Sequence, residues 1–314
     1  MEYLYLLLCV VAIVFSADSL VAGAVTIAKR FKISEFVIGA VIIGVGTSFP
    51  ELVVSSMGAI EGNADIAIGN VVGSNIFNVL GILGLTALIM PVAVSEENKK
   101  FDLPLCLGAS LLVMLLVFNF FVGGEAQIGR IDGLVLLSLF VFFMYKSLKG
   151  NKAQSEVVSQ EVITNKQLTF GVLKVLLGLA ILIISSRFFL DNAVAIATAW
   201  GVNNAFIAIT LVACGTSLPE LAASIVAALK GNTQMALGNV MGSNIFNLTL
   251  ILGVASQITP LASGGITIVD YAVMLFAAVM PFALGYDGRF SRKEGAFMFV
   301  CFVAYNFYLI STQM

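Results

Sequence analysis

Residues 46–78 read GTSFPELVVSSMGAIEGNADIAIGNVVGSNIFN, and residues 215–247 read GTSLPELAASIVAALKGNTQMALGNVMGSNIFN. Both segments begin with GTS-x-PE and end with GNV-x-GSNIFN, and each matched residue of the second lies 169 positions after its counterpart. Two long motifs at one shared spacing indicate that the chain contains an internal duplication. The repeated segments are also the polar parts of an otherwise apolar sequence, which points to a function for them beyond packing.

The overall composition indicates a protein whose solvent is largely lipid. Hydrophobic residues make up 60% of the chain and charged residues only 11%, against roughly a quarter charged in soluble domains. The net charge of -2 gives no basic field for nucleic acid. Histidine, the commonest zinc and copper ligand, is absent. The four cysteines lie singly in apolar stretches, which predicts neither a zinc site nor a disulfide framework: Cys9, Cys106, Cys214 and Cys301.

Apolar runs of about 20 residues predict ten transmembrane helices. Their approximate limits are 3–28, 35–60, 66–90, 102–122, 131–149, 168–199, 204–229, 234–258, 267–285 and 295–312. The first run lacks the positively charged segment that precedes a signal peptide core, so we interpret it as a span.

The distribution of Lys and Arg predicts the orientation. Thirteen of the 16 basic residues fall in one set of connections: 29–35, 91–101, 146–167, 230–233 and 286–294. The opposite set contains only Arg130. Basic loops stay in the cytoplasm, so we expect both termini on the extracytoplasmic side of the plasma (inner) membrane. The polar segment 150–167 then becomes a cytoplasmic linker.

Each half of the chain contains five predicted spans, and this odd number turns the second half upside down relative to the first. The predicted fold is an all-α membrane protein with ten transmembrane helices in two inverted five-helix repeats. The first repeat is 1–149, with its motif at 44–78, and the second is 168–314, with its motif at 213–247. Inverted repeats are typical of secondary transporters, whose binding site lies at the midplane between the repeats.

Glu51 and Glu220 lie in the middle of predicted spans, directly after Pro50 and Pro219. A charged side chain at the bilayer centre costs at least ~2.5 kcal/mol and marks a functional site by default. Proline has no backbone N–H and frees the carbonyl four residues earlier. The sequence therefore predicts that each carboxylate is accompanied by free backbone oxygens, an arrangement suited to a cation.

Neutral oxygen-bearing side chains recur at helical spacing around these carboxylates. Eight of them fall within the two motifs: Thr47, Ser48, Ser74, Asn78, Thr216, Ser217, Ser243 and Asn247. Calcium takes six to eight oxygen ligands, whereas soft metals prefer sulfur or imidazole. The GxxxG spacing in the same segments is equally typical of close helix packing, and we expect the motifs to serve both roles.

The paired motifs resemble the two α-repeats of the calcium/cation antiporter superfamily, and the chain is most similar to its prokaryotic sodium/calcium exchangers. The resemblance covers essentially the whole chain. It implies that spans 2, 3, 7 and 8 form an ion-binding core and that the long spans 1 and 6 slide across it. The ion ligands that it implies are Glu51, Glu220, Thr47, Thr216, Ser48, Ser217, Ser74, Ser243, Asn78, Asn247, Gly44 and Ala213.

The predicted function is electrogenic exchange, in which sodium influx drives calcium extrusion by alternating access. Two ionised glutamates are neutralised by one calcium ion, whereas about three sodium ions leave one positive charge. We expect Ca²⁺, Na⁺ and the lipid bilayer as partners, with no cofactor, no nucleic acid and no obligatory protein partner.

Two other transport functions remain as alternatives. A Ca²⁺/H⁺ antiporter requires both glutamates to titrate, and its relatives typically carry a further Glu where this chain has Gly73 and Gly242. A cation channel also uses broken helices and carboxylates. An enzyme is not predicted, because Tyr286-Asp287 has no GxGD partner of the kind found in intramembrane proteases.

Two positions depart from what the repeats or the resemblance lead us to expect. Some members of the superfamily have Asp at the position of Asn247, and potassium-dependent exchangers resemble those members. Asn247 therefore argues against potassium coupling. Arg187 stands where the first half has Asp18, and a cation inside the sixth span is unexpected. We expect Asp18 and Arg187 to form an ion pair between the two halves, or Arg187 to reach a membrane edge.

Overall fold

The computed structural model describes residues 2–118, 127–150, 163–200, 215–262 and 265–313. Eleven helices are found in these residues: α1 (Glu2–Phe31), α2 (Glu35–Thr47), α3 (Phe49–Ile60), α4 (Ala64–Ile89), α5 (Asn98–Val117), α6 (Arg130–Gly150), α7 (Asn165–Ala199), α8 (Leu218–Leu229), α9 (Thr233–Ile258), α10 (Ile268–Leu284) and α11 (Arg292–Gln313). The protein is therefore an all-helical membrane protein, as predicted.

Eight of these helices are long and apolar enough to cross a bilayer, and α2 and α3 together form a ninth span bent by 45°. These nine correspond to nine of the ten predicted spans. The remaining span, 204–229, is described from Gly215 onward and includes α8, while residues 201–214 lie outside the described residues. The bend between α2 and α3 falls at Ser48, two residues before Pro50, as expected from a missing backbone donor.

The long helix α7 begins at Asn165, three residues before the predicted start of its span at 168. Thr164 caps it: the Thr164 hydroxyl accepts from the Gln167 N–H, and the Gln167 side chain accepts from the Thr164 N–H at 2.8 Å. This reciprocal capping box fixes the start of a helix. The last residues of the predicted linker 150–167 therefore belong to the helix.

The two halves of the sequence are interleaved. Helix α11, the last of the second half, packs on the end of α4, and α6, from the first half, packs on the end of α9. Glycines make both crossings close. A Cβ on Gly84 would lie 2.9 Å from the Phe299 N, and one on Gly253 would lie 3.1 Å from the Gly133 carbonyl oxygen.

Two short antiparallel ladders join the halves again outside the helices. Strand β1 (Val92–Ala93) pairs with β4 (Arg289–Phe290), and β2 (Gln127–Ile128) pairs with β3 (Leu261–Ala262). Each ladder takes one strand from each half. The loops after α4 and α9 are therefore held to the loops before α11 and α6.

Helices α1 and α7 pack against each other along their length at the edge of the molecule. A Cβ on Gly23 would lie 2.5 Å from the Gly171 carbonyl oxygen, and one on Gly178 would lie 2.9 Å from the Ser16 carbonyl oxygen. Contact positions thus rise along α1 while they fall along α7, so the two helices are antiparallel. Small residues let their backbones approach closely.

The predicted pair between Asp18 and Arg187 is wrong. Asp18 forms its ion pair with Lys230 at the end of α8, with 2.7 Å between Nζ and the carboxylate. The antiparallel crossing explains this. Ser19, next to Asp18, contacts the Lys174 carbonyl, and Arg187 is thirteen residues farther along α7, about 20 Å along the helix axis. Arg187 is exposed at the surface of the helix.

Candidate ion-binding site

Two helix starts carry the predicted carboxylates. Ser48 is the N-cap of α3 and Ser217 the N-cap of α8, and in both helices proline occupies the first turn, where its missing N–H costs no hydrogen bond. Glu51 and Glu220 fall in the same first turns. The free N–H groups of a helix start favour negative charge, so each carboxylate lies at the electropositive end of a short helix.

The two carboxylates are held crosswise by serines from the opposite half of the sequence. The Ser48 hydroxyl donates to Glu220 Oε1 at 2.9 Å, and the Ser217 hydroxyl donates to Glu51 Oε1 at 2.9 Å. All four side chains are at least 99% buried. The two motifs therefore form one site, in which each half supplies the carboxylate that the other half orients.

A second matched pair of contacts braces the backbone behind the carboxylates. Asn70 Nδ2 donates to the Glu51 carbonyl at 3.2 Å and to the Ser55 hydroxyl at 2.9 Å. Asn239 makes the equivalent bonds to the Glu220 carbonyl at 3.1 Å and to the Ser224 hydroxyl at 2.9 Å. Each asparagine ties α4 or α9 to the helix that carries the carboxylate.

Four asparagines meet where α4 and α9 cross. Asn78 Nδ2 donates to Asn244 Oδ1 at 3.0 Å, and Asn247 Nδ2 donates to Asn75 Oδ1 at 3.4 Å. Asn244 Nδ2 also donates to the Asn75 carbonyl at 3.3 Å. We call Asn75, Asn78, Asn244 and Asn247 the asparagine quartet. Helix α4 passes from α-helix to π-helix at Phe77, and α9 does so at Asn247, within the quartet, and such π segments are frequent at functional sites.

Four buried carboxylate and amide oxygens remain without a hydrogen bond among the described residues: Glu51 Oε2, Glu220 Oε2, Asn78 Oδ1 and Asn247 Oδ1. They form two pairs of equivalent atoms, one of each pair from each repeat. Buried polar atoms are nearly always hydrogen-bonded, and these four accept but cannot donate once the glutamates are ionised. A bound cation would satisfy all four oxygens at once.

The other predicted ligands lie around the same centre, with one outside the described residues. The Ser217 hydroxyl lies 3.3 Å from that of Ser74, and the Ser243 hydroxyl donates to the Gly44 carbonyl at 3.3 Å. Thr47 donates to the Ile43 carbonyl at 3.0 Å. Thr216 lies in the turn before α8, and its hydroxyl is buried. Ala213, the counterpart of Gly44, falls in the segment that the structure does not describe.

The site combines two carboxyl groups with neutral oxygens, a donor set that suits hard cations once both carboxyl groups are ionised. Within the described residues, no group of three or more His, Cys, Asp and Glu side chains is positioned to hold a metal. Serine, amide and backbone oxygens must therefore supply the rest of the coordination, as they do for calcium in many proteins. No ion pair of the described residues involves Glu51 or Glu220, so neither carboxyl group is neutralised by a cationic side chain there.

The predicted ligands do not include four residues of this arrangement. Asn75 and Asn244 complete the quartet. Ser55 and Ser224 accept hydrogen bonds from Asn70 and Asn239, which also bond to the glutamate carbonyls. All four lie inside the repeated motifs at the shared spacing of 169. Their repetition was the available signal, but their partners depend on how α4 and α9 cross.

Comparison with known proteins agrees with this geometry. The family model of the sodium/calcium exchanger protein matches residues 1–149 and 170–311. The chain belongs to the sodium/calcium exchanger family. Both motifs and nearly all the described helices fall inside the match.

Two relatives match over almost their whole length. The chain is 36% identical to the putative antiporter CaxA of Alkalimonas amylolytica, with 98% of each chain covered. It is 32% identical to the sodium/calcium exchanger MaX1 of Methanosarcina acetivorans, with 97% of each covered. A third relative, the inner membrane protein YrbG of Escherichia coli, is 35% identical over 87% of this chain and 84% of its own.

The fold also matches a solved exchanger. The chain superimposes on the sodium-calcium exchanger NCX_Mj, soaked with sodium and calcium, with a TM-score of 0.83 at 30% identity, and the match covers 96% of each chain. The same exchanger soaked with sodium and no calcium gives a TM-score of 0.84. The architecture described above is therefore that of a sodium/calcium exchanger.

Proposed function

We propose that this protein is an electrogenic Na⁺/Ca²⁺ antiporter of the plasma (inner) membrane, in which sodium influx drives calcium extrusion. The observation that carries the proposal is the crosswise pair of buried carboxylates, Glu51 and Glu220, each with one oxygen free of hydrogen bonds. The family and the printed names of MaX1 and NCX_Mj support sodium and calcium as the ions.

The proposed ligands are the carboxylates together with neutral oxygens of both motifs. Glu51 and Glu220 take the central calcium ion with the carbonyls of Thr47 and Thr216. The flanking sodium sites use the remaining predicted residues: Ser48, Ser74, Asn78, Ser217, Ser243, Asn247 and the carbonyls of Gly44 and Ala213. The free Oδ1 atoms of Asn78 and Asn247 support this division.

Charge balance supports an electrogenic cycle. When ionised, the two glutamates give the site two negative charges, which one calcium ion neutralises. Calcium and sodium compete for these same carboxylates. About three sodium ions in their place leave one net positive charge, and moving it is worth ~2.3 kcal/mol per 100 mV. Exchange then proceeds without leak, because the site is stable in the membrane only when its charge is covered.

Alternating access requires two arrangements of the helices around one site, and we propose that the ten spans form two inverted five-helix repeats. The antiparallel packing of α1 against α7, which occupy equivalent places in the two halves, supports the inversion. So do the matched contacts of the two motifs. We further propose that α1 and α7 slide together across the core to open one side and then the other.

The proposed topology keeps the first repeat at 1–149 and the second at 168–314, with 150–167 as a cytoplasmic linker whose last three residues belong to α7. Both termini then lie outside the cytoplasm. The clustering of thirteen of the 16 basic residues in one set of loops supports this orientation.

Reconstitution in proteoliposomes tests the function. We expect uptake of radiolabelled calcium when an outward sodium gradient is imposed. If about three sodium ions leave for each calcium ion that enters, uptake is faster with the vesicle interior clamped positive than at zero potential. Uptake is slower with the interior clamped negative. Net positive charge leaves the vesicle in each such cycle, so a positive interior must favour it. Transport that follows an imposed pH step and ignores sodium contradicts the proposal and establishes the Ca²⁺/H⁺ antiporter instead.

A further inference from the structure

The asparagine quartet contains two kinds of residue. Asn78 and Asn247 each have a buried Oδ1 without a hydrogen bond among the described residues, whereas Asn244 uses both of its amide atoms in contacts within the quartet. Asn75 accepts through its side chain and its carbonyl. All four side chains are at least 97% buried. Two members therefore present oxygen to the site, and two hold the first pair in place.

An asparagine side chain binds a cation only in one of its two orientations. Its carbonyl oxygen accepts and its NH₂ group donates, and the two ends have nearly the same shape. An amide turned with NH₂ toward the site repels a cation. A neighbour that accepts from the NH₂ group fixes the useful orientation, in the way that groups behind a metal ligand orient it.

We propose that Asn244 and Asn75 are positioning residues, which fix the amides of Asn78 and Asn247 so that their oxygens face the transported cation. Asn244 Oδ1 accepts from Asn78 at 3.0 Å, and Asn75 Oδ1 accepts from Asn247 at 3.4 Å. Each repeat thus orients the amide ligand of the other, as Ser48 and Ser217 do for the carboxylates. The inference rests on the proposed cation site and extends it by two residues.

The two positioning contacts are unequal, which adds a quantitative expectation. Asn244 makes the shorter bond to its ligand and is itself fixed by donating to the Asn75 carbonyl. Asn75 makes the longer bond, and its own NH₂ group has no partner among the described residues. Loss of Asn244 must therefore weaken cation binding more than loss of Asn75.

A double-mutant cycle separates positioning from simple packing. The dissociation constants of Ca²⁺ and of Na⁺ are measured by titration calorimetry on the purified full-length protein. We expect Asn244→Leu to weaken binding roughly tenfold and Asn75→Leu to weaken it less. In the Asn78→Ala background the effect of Asn244→Leu must fall below about twofold, because the residue through which it acts is gone.

The matched control is Asn306→Leu, because Asn306 Nδ2 donates to the Phe302 carbonyl of its own helix, α11, and this variant should leave binding unchanged. If Asn244→Leu does not fold, Asn244→Ser, which is smaller and polar, takes its place in the same cycle. If the wild-type protein binds cations but the effects of Asn78→Ala and Asn244→Leu on the dissociation constants are additive, only the positioning role is overturned. Wild-type protein that binds neither cation overturns the proposed function and this inference together.

Discussion

The central helices α4 and α9 and the peripheral helices α1 and α7 are two pairs of equivalent elements, and they are built in opposite ways. Buried residues make up 78% of the most apolar stretch of α4 and 89% of that of α9, against 22% in α1 and 28% in α7. The central pair carries the asparagine quartet and binds its neighbours through specific polar contacts. The peripheral pair meets through small residues and exposes most of its surface.

This difference separates two tasks in one membrane protein. Polar contacts in a low-dielectric interior are specific and costly to break, so the central pair can hold ligand oxygens in fixed places. Contacts between small residues are smooth and have few directional bonds, which suits a helix pair that moves against the core. Changes in the central helices should therefore alter which ions bind, and changes in the peripheral helices should alter how fast they are moved.

The largest effect is expected at the carboxylates. Glu51→Gln or Glu220→Gln removes one of the two negative charges of the site, and we expect sodium-driven calcium flux in proteoliposomes to fall to background. Glu61→Gln, at an exposed position just after α3, is the matched control and should transport normally. Full activity of either core variant contradicts a shared two-carboxylate site.

A smaller loss is expected when the crosswise serines are removed. Ser48→Ala or Ser217→Ala deletes the hydrogen bond to a buried carboxylate, and such bonds to charged groups contribute about 1.5–3 kcal/mol. We expect the apparent affinity for calcium in the flux assay to fall roughly tenfold or more. The two single variants should behave alike, because the two contacts have the same length of 2.9 Å. A large difference between them would show that the halves of the site are not equivalent.

Close packing of α9 against α2 predicts that a larger residue at their contact lowers stability rather than ion selectivity. A Cβ on Gly242 would lie 2.5 Å from the Ala40 Cα, a backbone atom that can give way only if the helices separate. We expect Gly242→Ala to destabilise the protein by about 1–3 kcal/mol, seen as a lower melting temperature in detergent. Gly108→Ala is the control, because a Cβ at Gly108 meets nothing within 4 Å. Equal melting temperatures for both variants would contradict the close approach of α2 and α9.

The peripheral pair predicts an effect on rate. A Cβ on Gly178 would lie 2.8 Å from the Leu20 N, so Gly178→Ala pushes α1 and α7 apart without touching the ion ligands. We expect the maximal transport rate to fall several-fold, while the apparent affinities for both ions stay within about twofold of the wild-type values. A twofold change in affinity is small, since about 1.4 kcal/mol of binding free energy corresponds to tenfold. A variant with normal rate and weakened affinity would remove the distinction between the two helix pairs.

The smallest effect is expected at the surface. The side chains of Lys230 and Asp18 are 33% and 54% exposed, so their ion pair is partly solvated. Such pairs contribute about 0–1 kcal/mol, and Lys230→Ala should change the melting temperature little and the transport rate not at all. A marked loss of transport would mean that this contact links α1 to the core during the cycle.

The sequence predicted the helical class, the duplicated motifs and the break before Glu51, while the assignment of the ion ligands stays a prediction. These features are local: apolar length, proline position and residue spacing determine them, and the bend at Ser48 appears where Pro50 requires it. The tenth span and the inverted arrangement stay predictions, since residues 201–214 lie outside the described part of the chain.

The features that the sequence did not predict depend on how distant helices cross. Nothing local indicates that Ser48 bonds to Glu220 rather than to Glu51 of its own helix, or that Asn75 and Asn244 support their neighbours. The wrong pairing of Asp18 with Arg187 has the same origin. Equivalent positions in a repeat need not meet, and an antiparallel crossing displaces them along the helix axis.

The central claim is that calcium and sodium occupy one set of oxygens built around Glu51 and Glu220. Equilibrium binding of radiolabelled calcium to the purified protein, measured at rising sodium concentration, tests it most directly. We expect sodium to displace calcium completely and added calcium to restore binding, with a steep sodium dependence because several sodium ions replace one calcium ion. Calcium binding that persists unchanged at saturating sodium would contradict a shared site.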